Sequence, residues 1–436
     1  MRCFFLFLAC LITLASHVAR ADGDDADDST EKLPAQSEIV IGSLDLIGLH
    51  RTRQEYVRAE LGFAVGQKVR VASILRAAQR LRNTNFFVAV EVDFEETPDG
   101  KYNLTFDFIE KWTLTPVLRG GTGGGVNFLV VGLYDLNLLG RGIEAGLQYE
   151  QFAGAPGINL WWRQPYVARP VWRVMADAQL GRRPYFYFEP ATRSYATPLA
   201  RNDKLTVGVQ RRISLVDVGV ALESVDRELL GELSAPLNSY KNFSRRREIG
   251  IVTRMSLRLN AMNLNDYVWD GHKIELSAAN FFPTNDSEHE NIQTVSLSDT
   301  HFWSWSEKNN FGVRLQAHWT NGDSLLSLIR MGSLDSVRGL DDGERLGQLA
   351  WAANVEERWV ALVNENVVLQ TVLFADAGNA GKSLKEWPYP LAASAGAGLR
   401  MGFRPIARLR LRADYARALT GLRRPGSWVV GMQHYF

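Results

Sequence analysis

The sequence predicts a mainly β protein: a 16-stranded transmembrane antiparallel β-barrel at residues 112–436, preceded by one small β-α-α-β-β domain at residues 38–111. Three observations lead to this fold class. The chain opens with a secretory leader, and no later stretch reaches the roughly 18 consecutive apolar residues of a membrane-spanning helix. From Lys111 onward, apolar and polar residues alternate in segments of about 9–11 residues, the length of a tilted membrane strand. Tryptophan and tyrosine recur near the ends of these segments, as they do at membrane interfaces.

Residues 1–21 are predicted to be a signal peptide. Arg2 supplies the positive start, an almost unbroken apolar run continues to Leu14, and Ala-Arg-Ala at the end fits a cleavage site. An N-terminal anchor helix is the alternative. Both cysteines, Cys3 and Cys10, fall in this segment. We therefore expect the mature chain to use no disulfide, no thiolate metal site and no cysteine nucleophile.

Residues 22–37, DGDDADDSTEKLPAQS, are acidic and rich in turn formers, and are predicted to be a disordered linker. Over the whole chain the charge is near balance, with 49 Lys and Arg against 48 Asp and Glu. Nothing in this balance indicates a nucleic acid partner.

The predicted small domain begins with the strand EIVIGSLDLIG. A short helix follows, TRQEYVRAELG, with Thr52 as its expected N-cap and Gly62 as its end. Apolar residues at Ile74, Ala78 and Leu81 follow the 3.6-residue period and predict a second helix. FFVAVEVDFEE and YNLTFDFIE alternate on either side of a Pro-Asp-Gly turn at residues 98–100, which predicts a hairpin.

The predicted barrel strands place apolar residues on alternate positions. In FGVRLQAHW, for example, Leu315 and Trp319 share the face opposite Gln316. At roughly 20 residues for a strand and its loop, residues 112–436 provide for about 16 strands. Trp428 and the final residue, Phe436, lie on the predicted terminal strand. A soluble β-sandwich is the alternative that alternation alone leaves open.

No enzyme, cofactor or metal site is predicted. DAGNAGKS, from Asp376 to Ser383, resembles a phosphate-binding loop, but a carboxylate stands where backbone amides should receive phosphate. GGTGGG, at residues 120–125, lacks the strand-to-helix context of a dinucleotide site. The chain has neither GxSxG nor HExxH. A barrel esterase with scattered serine and histidine residues stays open as an alternative.

Strand parity predicts a charged inner wall late in the chain. If Leu369 and Leu373 face lipid, Asp376 faces the lumen, and the same rule turns Glu356 inward. Residues predicted to face inward in this region are Glu356, Arg358, Asp376, Arg400, Arg408, Arg410, Arg412 and Asp414. The long loop GSLDSVRGLDDGERLG carries Arg338, which would pair with Glu356 and Asp376 if it folded inward. A solvated loop arginine is the alternative.

The chain resembles the outer-membrane superfamily of barrel-assembly and two-partner-secretion transporters, the relatives of BamA, TamA and FhaC. NFFVAVEV and EKWTLTP match its POTRA domain, and YDLNLLGRG its early barrel motif. SVRGL is similar to the VRG signature of its sixth extracellular loop. NVEERW, FADAG, GAGLR and LRADYA resemble its late strands, and GMQHYF its last strand. The sequence departs from the family in having one POTRA-like domain and in having Leu340 where an aromatic residue is usual.

The resemblance implies that Arg338, with Gly339 beside it, reaches into the lumen and binds wall acids at Glu356 and Asp376. It implies a bacterial outer-membrane barrel with its N-terminal domain in the periplasm. A seam between the first and last strands would open sideways to insert or export client polypeptides. Expected partners are outer-membrane lipid, client polypeptides and a periplasmic protein at the POTRA-like domain. The alternative is a plain pore or structural barrel, whose lumen arginines would favour anions.

Overall fold

The computed structural model describes residues 34–123, 126–165, 172–188, 195–196, 198–213, 215–230, 247–265, 267–284, 291–332, 336–405 and 410–432. The predicted signal peptide, most of the predicted linker, Arg408 and Phe436 lie outside these ranges. No helix in the described part of the chain is both long and apolar enough to cross a membrane.

The N-terminal domain has the predicted β-α-α-β-β elements and one further short strand. In chain order they are β1 (Glu38–Ile47), α1 (Gln54–Leu61), β2 (Lys68–Arg70), α2 (Val71–Asn83), β3 (Phe87–Glu96) and β4 (Tyr102–Glu110). The sheet order is β2-β1-β4-β3, with β1 and β4 parallel. Ile74 and Leu81 of α2 are fully buried against Phe106 of β4. The 3.6-residue period therefore identified the core-facing side of this helix.

The predicted start of α1 was wrong. The N-cap position belongs to Arg53 rather than Thr52, and no side chain caps it. The Thr52 hydroxyl instead accepts a hydrogen bond from the Asn137 side-chain amide of the barrel at 2.8 Å. The predicted end was right: Gly62 adopts the left-handed conformation, φ 76°, that closes helices.

The described residues after the N-terminal domain form the strands β5 (Leu114–Gly123), β6 (Val126–Leu138), β7 (Ile143–Phe152), β8 (Ala155–Pro165), β9 (Trp172–Pro184), β10 (Tyr187–Phe188), β11 (Tyr195–Ala196), β12 (Leu199–Ile213), β13 (Val216–Leu230), β14 (Arg247–Asn265), β15 (Val268–Pro283), β16 (Ile292–Ser306), β17 (Asn309–Thr320), β18 (Ile329–Met331), β19 (Arg345–Gly347), β20 (Leu349–Val363), β21 (Val367–Gly381), β22 (Ala392–Phe403), β23 (Arg410–Thr420) and β24 (Gly426–Met432). Sixteen of them make the predicted antiparallel barrel, in the order β24-β23-β22-β21-β20-β17-β16-β15-β14-β13-β12-β9-β8-β7-β6-β5. The pairs β10–β11 and β18–β19 form two small antiparallel sheets that are separate from the barrel sheet.

The outer surface of the barrel is apolar and exposed, as the alternation predicts. Leu222 is 55% exposed, Leu315 51% and Leu373 54%. Their neighbours on each strand point inward and are largely buried or polar. A nearly closed sheet with this outward apolar band can cross a bilayer because it leaves few backbone groups unpaired in lipid.

Strands β5 and β24 are the two ends of the strand order. Their Cα atoms approach within 8 Å of each other. Over the described residues, however, no backbone ladder joins them. We call this junction the seam. On the other side of β24, the described ladder with β23 pairs Gly426–Met432 with residues 411–417.

The small domain lies across one mouth of the barrel. The Arg53 amide donates to the Gly140 carbonyl at 2.9 Å, in the turn between β6 and β7. Asn83 of α2 accepts from the Leu264 amide at 3.1 Å, near the turn between β14 and β15. Because these two turns lie six strands apart in the sixteen-strand order, the domain spans the opening.

Glu110 organises this contact from the end of β4. Its carboxylate accepts hydrogen bonds from three successive amides, those of His50 at 3.0 Å, Arg51 at 2.8 Å and Thr52 at 2.7 Å. Burial raises the pKa of Glu110, but the hydrogen bonds from the Thr52 hydroxyl and the three amides outweigh it, so the pKa lies below its ordinary value. The loop held in this way is the one that contacts the barrel.

Acidification is expected to loosen this loop. A carboxylate with a lowered pKa stabilises the folded state above that pKa, and the stabilisation is lost as the pH falls through it. Hydrogen exchange at residues 50–52, corrected for intrinsic rates, should therefore rise relative to neutral pH. Glu110→Ala should show the raised exchange already at neutral pH. Glu110→Gln keeps an acceptor without a charge and should show no pH dependence; a pH dependence as steep as the parent's would contradict the assignment.

Candidate functional site in the barrel lumen

The loop between β17 and β20, residues 321–348, enters the barrel lumen from the end opposite the small domain. Val337 and Leu340 on this loop are fully buried. They pack against small inward residues of the wall, including Ala352 and Ala380. A side chain at Gly378 would come within 2.9 Å of Val337. Small residues on the inner wall therefore provide the space that the loop fills.

Arg338 lies between these two buried loop residues and is itself 5% exposed. Its Nε and Nη2 donate to the two carboxylate oxygens of Asp376 at 2.6 and 2.7 Å, a bidentate pair. Its backbone amide donates to the same carboxylate at 3.0 Å. Its Nη1 donates to Glu356 at 2.6 Å and reaches Asp414 at 3.4 Å. Three acids thus surround one guanidinium.

Two neutral side chains complete the surroundings of Arg338. The guanidinium carbon lies 3.6 Å from the centre of the Phe374 ring, a cation–π contact. The Asn354 amide donates to Asp376 at 2.9 Å and to the Ser336 carbonyl of the loop at 2.6 Å. Phe374 and Asn354 each lie two residues from a predicted inward acid, Asp376 and Glu356, so strand parity turns them inward too. Their contacts with the loop were not predicted.

Further arginines on the wall pair with the acids that Arg338 contacts. Arg358 donates to Glu356 at 2.9 and 2.7 Å. Arg400 lies between Glu356, at 3.3 Å, and Asp414, to which both of its terminal nitrogens donate. Arg412 reaches Asp414 at 3.2 Å. We call Glu356, Arg358, Asp376, Arg400, Arg412 and Asp414 the wall cluster.

Charge counting shows how the loop and the wall depend on each other. The wall cluster holds three carboxylates and three guanidiniums, so it is formally neutral before Arg338 enters. Glu356 and Asp414 each keep an arginine partner on the wall. Asp376 keeps only Asn354 among the side-chain partners that the described residues show. Asp376 is therefore the acid that depends most on Arg338.

The other predicted site residues take varied positions. Gly339 has φ 100°, a conformation that favours glycine, and a Cβ there would lie 2.6 Å from Leu422. Arg410 is half-buried on β23, opposite Gly402 of β22. Trp428 is exposed on the outer face of β24 beside the Tyr415 ring, with ring centres 5.1 Å apart. Their functional roles stay predictions.

No group in the described part of the chain has three histidine, aspartate or glutamate side chains arranged to hold a metal. The segment DAGNAGKS, which resembled a phosphate loop, begins within strand β21. Its Asp376 carboxylate is occupied by Arg338. The chemistry that the lumen shows is ion pairing and hydrogen bonding between the loop and the wall.

Comparison with known proteins agrees with this arrangement. A family model described as the Omp85 superfamily domain matches residues 137–422, and a POTRA model, the surface antigen variable number repeat, matches residues 39–111. A sequence comparison with curated proteins finds no match. The predicted domain limits at residues 21, 37 and 111 are not tested by these matches.

Solved structures share the fold at low sequence identity. BamA from Haemophilus ducreyi lacking POTRA domains 1–3 is 16% identical, covering 90% of this chain and 84% of that one, with a TM-score of 0.52. CdiB from Acinetobacter baumannii is 15% identical, covering 90% and 73%, with a TM-score of 0.57. CdiB from Escherichia coli is 11% identical, covering 94% and 93%, with a TM-score of 0.56.

The fold, the inward loop and these matches define an outer-membrane β-barrel with a periplasmic POTRA domain. The chain belongs to the Omp85 superfamily. The predicted resemblance and the predicted location, a barrel in the bacterial outer membrane with the POTRA domain in the periplasm, are both confirmed. Members of this family are outer-membrane insertion or secretion factors and are generally non-enzymatic. The loop at residues 321–348 is the sixth extracellular loop, hereafter loop 6.

A double-mutant cycle tests whether Arg338 and Asp376 are energetically coupled. Removing one partner of a buried ion pair typically costs about 3–5 kcal/mol, and Arg338→Ala should destabilise the barrel by that order. Asp376→Asn in the same chain should recover part of the loss, because no buried carboxylate is then left unpaired. The free energy of unfolding in urea, in lipid vesicles, measures both.

The matched control for this cycle is Arg163→Ala. Arg163 pairs with Glu144 at the same 2.6 Å, but its side chain is 49% exposed. An exposed pair contributes about 0.2–1 kcal/mol, so the control should cost little. Additive effects of Arg338→Ala and Asp376→Asn would show that the two residues are not coupled.

Proposed function

We propose that this protein inserts client polypeptides into the outer membrane, or exports them across it, through the seam between β5 and β24. Loop 6, held in the lumen by Arg338, keeps the barrel in its resting arrangement. The observation that carries the proposal is the burial of Arg338 among Asp376, Glu356 and Asp414, because a loop fixed in this way fills the lumen that a simple pore would leave open.

The burial of Arg338 makes the resting arrangement stable and also switchable. Moving Arg338 out of the lumen costs its bidentate bond with Asp376 and leaves that carboxylate short of partners. Glu356 and Asp414, in contrast, retain Arg358, Arg400 and Arg412. Most charged side chains of the wall cluster therefore keep an ion-pair partner when loop 6 leaves the lumen, and the barrel does not need to unfold.

The seam supports delivery of a client strand. An unpaired strand edge is a template on which another strand can add by backbone hydrogen bonds. Over the described residues no ladder joins β24 to β5, and β5 contains Gly120 and Gly121, which weaken strand pairing. Parting β5 from β24 would expose two such edges to the membrane and to the lumen.

The POTRA domain supports delivery from the periplasm. It lies across the periplasmic mouth, where a polypeptide entering the barrel would have to pass. Its outermost strand, β3, pairs on one side with β4 and ends the sheet order on the other. This edge offers a place for an extended client or a periplasmic partner to add as a strand.

The second candidate is a plain pore. Loop 6 brings Arg338 into the lumen, and the inner wall carries Arg358, Arg400 and Arg412. A ring of arginines lining a lumen favours anions. This candidate predicts steady conduction by the parent protein. The burial of the arginines in ion pairs with Glu356 and Asp414 argues against it, because paired charges attract permeating anions less.

Single-channel conductance in planar bilayers tests whether loop 6 closes the lumen. The parent should be mostly closed. Arg338→Ala and Asp376→Ala should both give larger or noisier openings, and the two variants should resemble each other because they break the same ion pair. Arg163→Ala should conduct like the parent.

Vesicles containing the same proteins separate insertion from plain conduction. A urea-unfolded eight-stranded outer-membrane barrel is added, and its folding rate is compared with that in empty vesicles. Insertion activity predicts faster folding, and a disulfide engineered between β5 and β24 should abolish the gain until it is reduced. A parent that conducts steadily, is unaffected by either substitution and does not speed folding would establish the plain pore instead.

A further inference from the structure

The extracellular loop between β23 and β24, residues 421–425, contacts loop 6 at residues 337–345, around and just after Arg338. We call it the hairpin loop. Arg424 Nε lies 2.9 Å from the Asp341 carboxylate, and Arg423 Nη1 lies 3.7 Å from it. Asp341 follows the buried tip of loop 6 by one residue, and its side chain is 8% exposed. The contact therefore joins a largely buried acid on loop 6 to two arginines that are partly exposed, Arg424 at 52% and Arg423 at 33%.

Two further contacts join the hairpin loop to loop 6. The Arg345 guanidinium, 6% exposed, donates to the Gly421 carbonyl. Leu422 packs against the apolar cluster that contains Val337 and Leu340. The absence of a side chain at Gly339 leaves the space that Leu422 occupies. The hairpin loop is thus fitted to loop 6 by charge, by a backbone hydrogen bond and by shape.

The hairpin loop leads directly into the strand that borders the seam. Strand β24 begins at Gly426, immediately after Pro425. Over the described residues, β24 is held by its ladder with β23 and by no ladder with β5. A displacement of the hairpin loop therefore acts directly on β24, the strand at the seam.

We propose that the hairpin loop is a positioning element that transmits the position of loop 6 to β24, and thereby sets how firmly the seam is held. The inference rests on the proposed function, in which Arg338 fixes loop 6. With loop 6 inward, Asp341, Gly339 and Arg345 hold the hairpin loop and β24 in place. When loop 6 withdraws, these contacts are lost and β24 separates from β5. Asp341 and Leu422 are the residues that carry the coupling.

Spin labels on the outer faces of the two seam strands test this coupling in the full chain in lipid vesicles. Leu118 of β5 and Val430 of β24 are 59% and 44% exposed and accept labels without entering the lumen. Dipolar broadening of the continuous-wave electron paramagnetic resonance spectrum reports the short distances of a closed seam, and pulsed electron–electron double resonance the longer distances of an open one; together they give the distance distribution between the labels. Asp341→Asn and Leu422→Ala should each broaden this distribution toward longer distances, in the direction that Arg338→Ala produces.

The matched control is Asp342→Asn. Asp342 neighbours Asp341 but pairs at 3.5 Å with Arg183 at the end of β9, away from the hairpin loop, so its substitution should leave the seam distance unchanged. Labels at Leu222 and Leu257, on β13 and β14, report whether the barrel is intact.

Charge reversal adds a test that general damage to the fold would not pass. Asp341→Lys should widen the seam, and Arg424→Glu added to it should narrow the seam again.

The outcomes separate this inference from the proposed function. If Arg338→Ala widens the seam while Asp341→Asn and Leu422→Ala do not, the hairpin loop carries no coupling and the inference is wrong, while the proposed role of Arg338 stands. If Arg338→Ala also leaves the seam unchanged, the link between loop 6 and the seam fails, and the inference fails with it.

Discussion

A guanidinium that leaves water must find charged partners, and the lumen of this barrel is built around that requirement for Arg338. Asp376 binds it in a bidentate pair and also binds its backbone amide, so the side chain and the loop backbone are fixed together. The Phe374 ring covers the guanidinium on one side. Coulomb attraction is strong at such sites, and so is the penalty for an unpaired charge. The path of loop 6 follows from this one pairing.

The rest of the lumen is arranged to receive the loop. Arg358, Arg400 and Arg412 pair with Glu356 and Asp414, which leaves Asp376 for Arg338. Alanine and glycine on neighbouring inward positions leave room for Val337 and Leu340. Outside the lumen, Asp341 and Leu422 connect the same loop to the hairpin that ends in β24. One buried arginine is thereby linked, through contacts of loop 6, to the strand at the seam.

Much of the fold followed from the sequence, because strand alternation is a local signal that survives in any barrel. The same parity placed Glu356, Arg358 and Asp376 on the inner face, where the structure has them. Parity cannot reveal which inward residues touch. The contact of Arg338 with Asp414, the amide bridge of Asn354 and the packing of Leu422 on loop 6 all join residues far apart in the chain, and no local pattern encodes such distances.

The error at Thr52 has the same origin. A threonine before a helical pattern is a good N-cap by local rules, but here its hydroxyl is used by Asn137 of the barrel, in the motif YDLNLLGRG. The contact between the POTRA domain and the barrel therefore overrides the local preference of Thr52 for the N-cap position. The contacts between the POTRA domain and the barrel also could not be predicted from the sequence, because they depend on how the two folded parts meet.

The central claim is that Arg338 holds loop 6 inside the lumen, and the accessibility of a single cysteine tests it most directly. Leu340→Cys places a thiol at a fully buried loop position, in a chain whose own cysteines both fall in the predicted signal peptide. With Arg338 intact, a membrane-impermeant maleimide applied to intact cells should leave this thiol unlabelled, and with Arg338→Ala it should label it readily. Rapid labelling with Arg338 present, or continued protection without it, would contradict the account.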